Sequence, residues 1–281
     1  PALLVTLGRL FVTESPHWLV SRGDERDAEQ QMGRLLDRTP RYPSEVTLTM
    51  PAAGRGESKA RGYAELFRGR NLRATIFASV PWFLQDLGTY GIGIFTPTIL
   101  AAAIGHQRAF AQSVSDIVGN DILGAKGAAL IDLLLLVGIV AAVLLADRVG
   151  RIRLQIFGFI GCAIGLLVAA QAGTHPGGTN MLLIFAGFML FSFSTNIGPN
   201  AQTYLLAGEV FPTAIRAKGA GFAASFAKIG AVTTAFLFPI LLADLGTARL
   251  LYILVGTSLL GALVTWIFRI ETTGVSLDKV E

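Results

Sequence analysis

Ser79-Val-Pro-Trp-Phe-Leu-Gln-Asp-Leu-Gly-Thr-Tyr-Gly-Ile-Gly-Ile-Phe-Thr-Pro97 decides how this chain folds. Within the longer run Ala74–Ile104 it supplies the ~20 mostly apolar residues that a helix needs to cross a bilayer. Yet Asp86 stands near its centre, with Trp82 and Tyr90 one turn to either side on the same stripe. A carboxylate at mid-bilayer costs about 2.5–3.5 kcal/mol even on the lenient insertion scale. Asp86 must therefore face a wet cavity, find a cation or carry a proton. A plain helix-to-helix bond is the bland alternative, and the cost favours a site. Pro81, Gly88, Gly91, Gly93 and Pro97 make the helix easy to bend, as helices that line binding sites often are.

Five further runs reach spanning length: Ala125–Ala146, Ile152–Ala172, Met181–Leu206, Phe222–Leu242 and Ala248–Phe268. Short connections such as Asp147–Arg151 and Ala243–Thr247 make neighbouring spans antiparallel hairpins. Composition agrees. The chain is 52% hydrophobic and only 15% charged, against about a quarter charged in soluble domains, and its mean hydropathy is +0.58. A soluble helical bundle is excluded because these runs lack a polar face. The predicted class is an all-α membrane protein with six spans.

A net charge of +4 invites a nucleic-acid reading, but the basic residues cluster at span ends. Arg68, Arg70 and Arg73 precede the first span, Arg148, Arg151 and Arg153 fill one turn, and Arg216 and Lys218 another. Fewer occupy the opposite connections, where Arg108, Lys126 and Arg249 stand alone. The positive-inside rule then puts both ends of the chain in the cytosol. Residues 1–73 divide into the cut end of an earlier helix (Leu3–Val12), a short amphipathic helix within Ser21–Leu36, and a Pro/Gly-rich loop over Thr39–Gly62. Residues 74–268 form the bundle and 269–281 a short cytosolic tail. Pro1 in place of an initiator Met reads as a fragment boundary. The single Cys162 excludes a disulfide framework. Scattered His17, His106 and His175 predict no metal, and no cofactor is called for.

The fifth span supplies a complement to Asp86. Gly221-Phe-Ala-Ala-Ser-Phe-Ala-Lys-Ile-Gly-Ala231 places Lys228 roughly 15 Å along the helix from Lys218. That is too far for a snorkelling side chain, so Lys228 points into a cavity, as an anion site or as the partner of Asp86. In the fourth span Asn196, Asn200 and Thr203 share a face, as ligand donors or as helix-packing contacts. Asp132, within two turns of Lys126, is a weaker candidate for a wet vestibule.

Four motifs in order resemble the major facilitator superfamily. Asp147-Arg-Val-Gly-Arg151 is similar to its cytosolic turn motif. Glu14-Ser-Pro-His-Trp-Leu19, Gly208-Glu-Val-Phe-Pro-Thr-Ala-Ile-Arg216 and Glu271-Thr-Thr-Gly-Val-Ser-Leu277 look like flanking motifs of the sugar porters. The resemblance spans the chain as helices seven to twelve plus the central loop, implying a partner half of six helices that is absent. Where sugar porters carry paired glutamines and Gly-Pro-x-x-Trp, this sequence reads Leu84-Gln85-Asp86 and Gly198-Pro199-Asn200-Ala201-Gln202. Trp82, Asp86, Tyr90, Gly198–Asn200 and Ala223–Ala231 instead resemble the phosphate:proton symporters. Thr89 and Phe95 depart from that pattern.

The resemblance implies that Trp82, Asp86, Tyr90, Lys228 and one of Asn196 and Asn200 contact the substrate. With Gln85 and both asparagines as candidates, the expected mechanism is alternating access. Asp86 would exchange the coupling proton. Asp147, Arg148, Arg151, Glu209 and Arg216 would latch the cytosolic side, with Glu209 and Arg216 as a pair mirroring the first turn. The expected partners are a small anion (inorganic phosphate first), a proton and lipid, in the plasma membrane. A sugar or organic-acid porter and a non-transporting membrane sensor stay open. An enzyme does not, since no nucleophile–base pair is present.

Overall fold

A computed structural model of the chain describes Thr6, Gly8 and residues 15–21, 23–35, 62–107, 114–173 and 180–272. Most of the expected earlier-helix end at Leu3–Val12, most of the loop Thr39–Gly62 and the last residues of the tail lie outside them. Helices dominate: α1 Pro16–Ser21, α2 Glu25–Leu35, α3 Gly69–Gln107, α4 Val114–Val149, α5 Arg151–Ala170, α6 Met181–Ile197, α7 Pro199–Glu209 and α8 Arg216–Phe268. No strand occurs among the described residues. The short amphipathic helix expected within Ser21–Leu36 is α2, and α1 precedes it. Gly23, at φ 83°, breaks the chain between them, and Asp24 restarts it by accepting from Ala28 N.

Six crossings follow from these helices. Val114–Val149, Arg151–Ala170, Met181–Glu209 and Arg216–Phe268 are each long and apolar enough to cross a membrane. The last, at 53 residues, is about 80 Å of helix, far more than one bilayer core requires. It is two spans. Gly246 leaves helical geometry at φ 77°, ψ 165°, a conformation open chiefly to glycine. Ile215 at one end and Phe268 at the other return to the same apolar cluster, so the chain doubles back at Gly246. The sixth crossing is α3, at 39 residues, whose apolar run is interrupted by Gln85, Asp86 and Thr89.

The expected span Met181–Leu206 is present within Met181–Glu209, built from two helices. Gly198 sits at φ −108°, ψ −105° between α6 and α7, and Pro199 opens the second helix, where its missing N–H costs nothing. This break turns the first residues of α7 toward α3.

Two buried clusters fill the bundle. One gathers Ile92, Leu100, Leu166, Phe188, Phe191 and Leu254. The other gathers Leu66, Phe77, Trp82, Phe211, Ile215 and Ala227 at the end where α3 begins. There Arg73 also donates to the carbonyls of Phe268 and Arg269, joining the start of α3 to the end of α8. By contrast, only 22% of the apolar window of α4 is buried. Leu133, Leu136, Val137, Val140 and Val143 face outward, a face suited to lipid or to a second membrane unit.

Candidate functional site

Asp86 lies between the two clusters and is 2% exposed. Its cation comes from α8. Lys228 Nζ donates to Asp86 Oδ2 at 3.0 Å and to the Tyr90 hydroxyl at 3.1 Å, while lying 4.9 Å from the Tyr90 ring centroid. The i, i+4 spacing of Asp86 and Tyr90 lets one ammonium meet both. The helices approach closely here because α8 is small-sided: a Cβ on Gly230 would stand 2.7 Å from the Phe83 carbonyl. The pair is asymmetric in exposure. Asp86's side chain is 3% exposed, whereas Lys228's is 56% exposed, so the ammonium's remaining hydrogen-bonding capacity faces the open side of the bundle.

A neutral polar set occupies the next face of α3. Gln85 Nε2 donates to Thr89 Oγ1 at 2.7 Å and approaches Asn200 Oδ1 at 3.4 Å. Thr89 Oγ1 lies 3.3 Å from Thr195 Oγ1. Asn200 Nδ2 donates to Asn196 Oδ1 at 2.8 Å, and Asn196 Nδ2 to the Ser192 carbonyl at 2.7 Å. Asn200 is exposed and Asn196 buried at 2%. Of the two asparagines, Asn200 is open to a ligand, and Asn196 holds it in place. Thr203, on the same stripe, donates to the Pro199 carbonyl. Trp82 packs edge-on against Tyr204 of α7, with centroids 5.9 Å apart.

The turn residues meet at the end of the bundle where α3 begins. Arg151 Nη2 lies 3.3 Å from Asp147 Oδ1, and Arg151 Nε 3.2 Å from Glu209 Oε1. Thr272 donates to Glu209 Oε2 at 2.7 Å. Glu209 thus joins Arg151, a partner not expected from sequence, while Arg216 Nε donates to the Phe211 carbonyl. Arg148 flanks the turn on an exposed surface. Asp132 is likewise exposed on α4. Thr195, Ser192 and Tyr204 were not anticipated; Tyr204 had a signal, four residues beyond Asn200. Among the described residues no group of His, Cys, Asp and Glu could hold a metal.

The family described as "Sugar (and other) transporter" matches residues 1–281. The chain belongs to that family. A probable plastidic glucose transporter of Arabidopsis thaliana is 31% identical, covering 100% of this chain and 54% of its own length. A probable inorganic phosphate transporter of Oryza sativa subsp. japonica is 26% identical, covering 100% of this chain and 53% of its own. Among solved structures, the proton:xylose symporter XylE, bound to 6-bromo-6-deoxy-D-glucose, matches with a TM-score of 0.73 at 22% identity, over 100% of this chain and 56% of that one. The fold is therefore the six-span half of a major facilitator bundle. The chain spans about half the length of the curated relatives it matches. Transporters of this kind are not enzymes, and the chain is an integral membrane protein.

Proposed function

We propose that these spans form one half of a proton-coupled symporter for a small anion, inorganic phosphate first, working by alternating access with a second six-helix half. The carrying observation is the lopsided pair: a buried carboxylate holding an ammonium that is more than half exposed. A cation already paired at 3.0 Å gains an anion most readily when its partner is neutral. Proton uptake on Asp86 Oδ2 removes one negative charge, leaves Tyr90 on the ammonium and frees Lys228 for substrate. Release of anion and proton restores the pair. Lys228 is thus either satisfied by Asp86 or by substrate, which couples the two. The phosphate transporter among the relatives supports this reading.

In this reading Trp82 and Tyr204 border the site, Asn200 and Gln85 contact the substrate, and Arg151 with Asp147 and Glu209 latches the cytosolic end. Both ends of the chain lie in the cytosol and the membrane is the plasma membrane. A sugar porter is the second reading, favoured by the glucose transporter among the relatives and by the amide pair Gln85–Asn200. Charge separates the two. In the full-length transporter reconstituted in liposomes, Lys228→Gln is expected to lose most phosphate affinity. Asp86→Asn should bind and exchange anion yet no longer accumulate it on a proton gradient. Unchanged phosphate binding in Lys228→Gln, or gradient-driven accumulation in Asp86→Asn, would refute these roles.

A further inference from the structure

The ion pair accounts for Asp86, Tyr90 and Lys228, but charge alone does not say which part of a substrate the neighbouring amide network would contact. That network is built to fix one exposed group. Starting from the Ser192 carbonyl, hydrogen bonds run through Asn196 to Asn200, and from Asn200 through Gln85 to Thr89. Every link but Asn200 is buried or half-buried, while Asn200 opens to the uncovered side. Its amide plane is held from both edges: Nδ2 donates to Asn196 and Oδ1 faces Gln85. Each edge still has capacity, one N–H on nitrogen and a lone pair on oxygen. Beneath it, Gln85, itself 3% exposed, leaves Oε1 with no hydrogen-bond partner, an acceptor that a donor would satisfy.

An amide presenting donor and acceptor side by side is matched by a hydroxyl, which both donates and accepts. Inorganic phosphate as a dianion offers acceptors and a single hydroxyl, and the ammonium of Lys228 already suits its charge. Gln85 and Asp86 are consecutive on α3, so the neutral and charged sets leave backbone positions ~3.8 Å apart. The Trp82–Tyr204 contact ties the α3 stripe of Asp86 to the α7 stripe of Asn200, one turn from each. A ligand that reaches from Lys228 to Asn200 would engage both sets.

We infer that the ligand is a hydroxylated organic anion, with its carboxylate or phosphate on Lys228 and its hydroxyls on the Asn200 amide. This rests on the anion reading above and puts an organic anion in place of inorganic phosphate as the first candidate. The test is competition binding to the full-length transporter in nanodiscs, using matched pairs: glycerol phosphate against inorganic phosphate, gluconate against acetate, with glucose as the neutral arm. At least one hydroxylated anion should bind tenfold or more tighter than its unhydroxylated match, and whichever pair shows the ratio identifies the charged group. Asn200→Ala, an exposed position, should reduce that ratio to threefold or less. Matched pairs that bind equally in the unaltered transporter overturn the inference and leave the anion reading standing, as does a ratio that survives Asn200→Ala. Glucose binding as tightly as any anion, undiminished by Lys228→Gln, overturns the anion reading itself.

Discussion

The seam between α5 and α6 and the face shared by α3, α7 and α8 are both buried helix contacts, yet they are made in opposite ways. At the seam, backbone meets backbone. A Cβ on Gly165 would stand 2.6 Å from the Gly187 carbonyl, and one on Gly187 2.5 Å from the Gly165 carbonyl. A Cβ on Gly158 would likewise stand 2.6 Å from Gly198 Cα. Close approach of small residues is how helices associate in lipid, where burial of apolar surface gives little advantage. At the other face α3 and α8 also come close, at Gly230 and Phe83, but the polar contacts are made by side chains, Lys228 with Asp86 and Gln85 with Asn200. Backbone contacts have one fit; side-chain contacts can exchange partners. The fold thus keeps its rigid joint behind α6 and its adjustable one in front of α3.

The hardest way to break this contrast is to add a side chain at the seam. Gly165→Val has no escape, because both obstructing groups, the Gly187 carbonyl and the Phe191 backbone nitrogen at 2.8 Å, are main chain. Overpacking of this kind costs about 3 kcal/mol or more. The expected outcome is loss of monodisperse, folded transporter in detergent. Gly256→Ala is the control: nothing lies within 4 Å of its added Cβ, and alanine gains up to ~1 kcal/mol over glycine in a helix. Equal behaviour of the two variants would show that the seam is not backbone-limited.

Next in size is the ion pair. Removing one partner of a buried pair leaves an uncompensated charge, at a cost of about 3–5 kcal/mol. Lys228 is more than half exposed, so the lower end applies. Lys228→Gln should lower the unfolding midpoint, and adding Asp86→Asn should recover most of the loss. The readout is a double-mutant cycle by chemical denaturation in detergent. Additive losses would mean that the two groups are not energetically coupled.

Sequence exposed the adjustable face better than the rigid one, and the reason is physical. Charge in a membrane is costly, so Asp86 and Lys228 stand out against their runs, and the spacing of Trp82, Asp86 and Tyr90 places them on one helix stripe. Glycine in an apolar run carries no such contrast. Gly165 and Gly187 matter only through each other, across a pairing of helices that spacing within one helix does not reveal. The same holds for Glu209, whose meeting with Arg151 depends on where α7 ends. Thr89 appeared as a mere departure from a pattern, yet it receives the shorter of the two bonds from Gln85 Nε2. Gly198 stood in the sequence as part of a family motif, and its division of the span into two helices was not legible there.

A smaller effect is expected where Arg151 chooses between two carboxylates. Asp147's side chain is 83% exposed and Glu209's 22%. An exposed pair contributes about 0.2–1 kcal/mol, whereas Glu209 also receives Thr272 and lies with Arg151 at the crowded end of the bundle. If this cluster latches one conformation, both Asp147→Asn and Glu209→Gln slow turnover and leave substrate affinity nearly intact. Glu209→Gln should be the slower, by on the order of tenfold, equivalent to about 1.4 kcal/mol. Transport rate measured beside equilibrium binding decides it. Parallel loss of binding and rate in either variant would argue against a latch.

The smallest effect comes from a second buried glutamine that shares its chemistry with Gln85 but not its setting. Gln155 on α5 is fully buried, and its Oε1, like that of Gln85, has no hydrogen-bond partner. Its Nε2 donates to Thr265 Oγ1 at 2.9 Å, and Thr265, also fully buried, donates its own proton to the Gly261 carbonyl at 2.7 Å. Replacing Gln155 by leucine removes one hydrogen bond, worth about 1 kcal/mol, together with an orphaned acceptor that costs a similar amount. Thr265 keeps its donor satisfied and loses only an accepted bond. The two terms offset, so Gln155→Leu should shift stability by less than ~1 kcal/mol and leave ligand binding unchanged. At Gln85 the same substitution releases the Asn200 amide from one edge and should weaken binding of any ligand that uses it. Side-by-side unfolding midpoints and binding isotherms for the two variants test the division directly. A binding defect in Gln155→Leu as large as that in Gln85→Leu would mean that the rigid side of the bundle reaches the site after all.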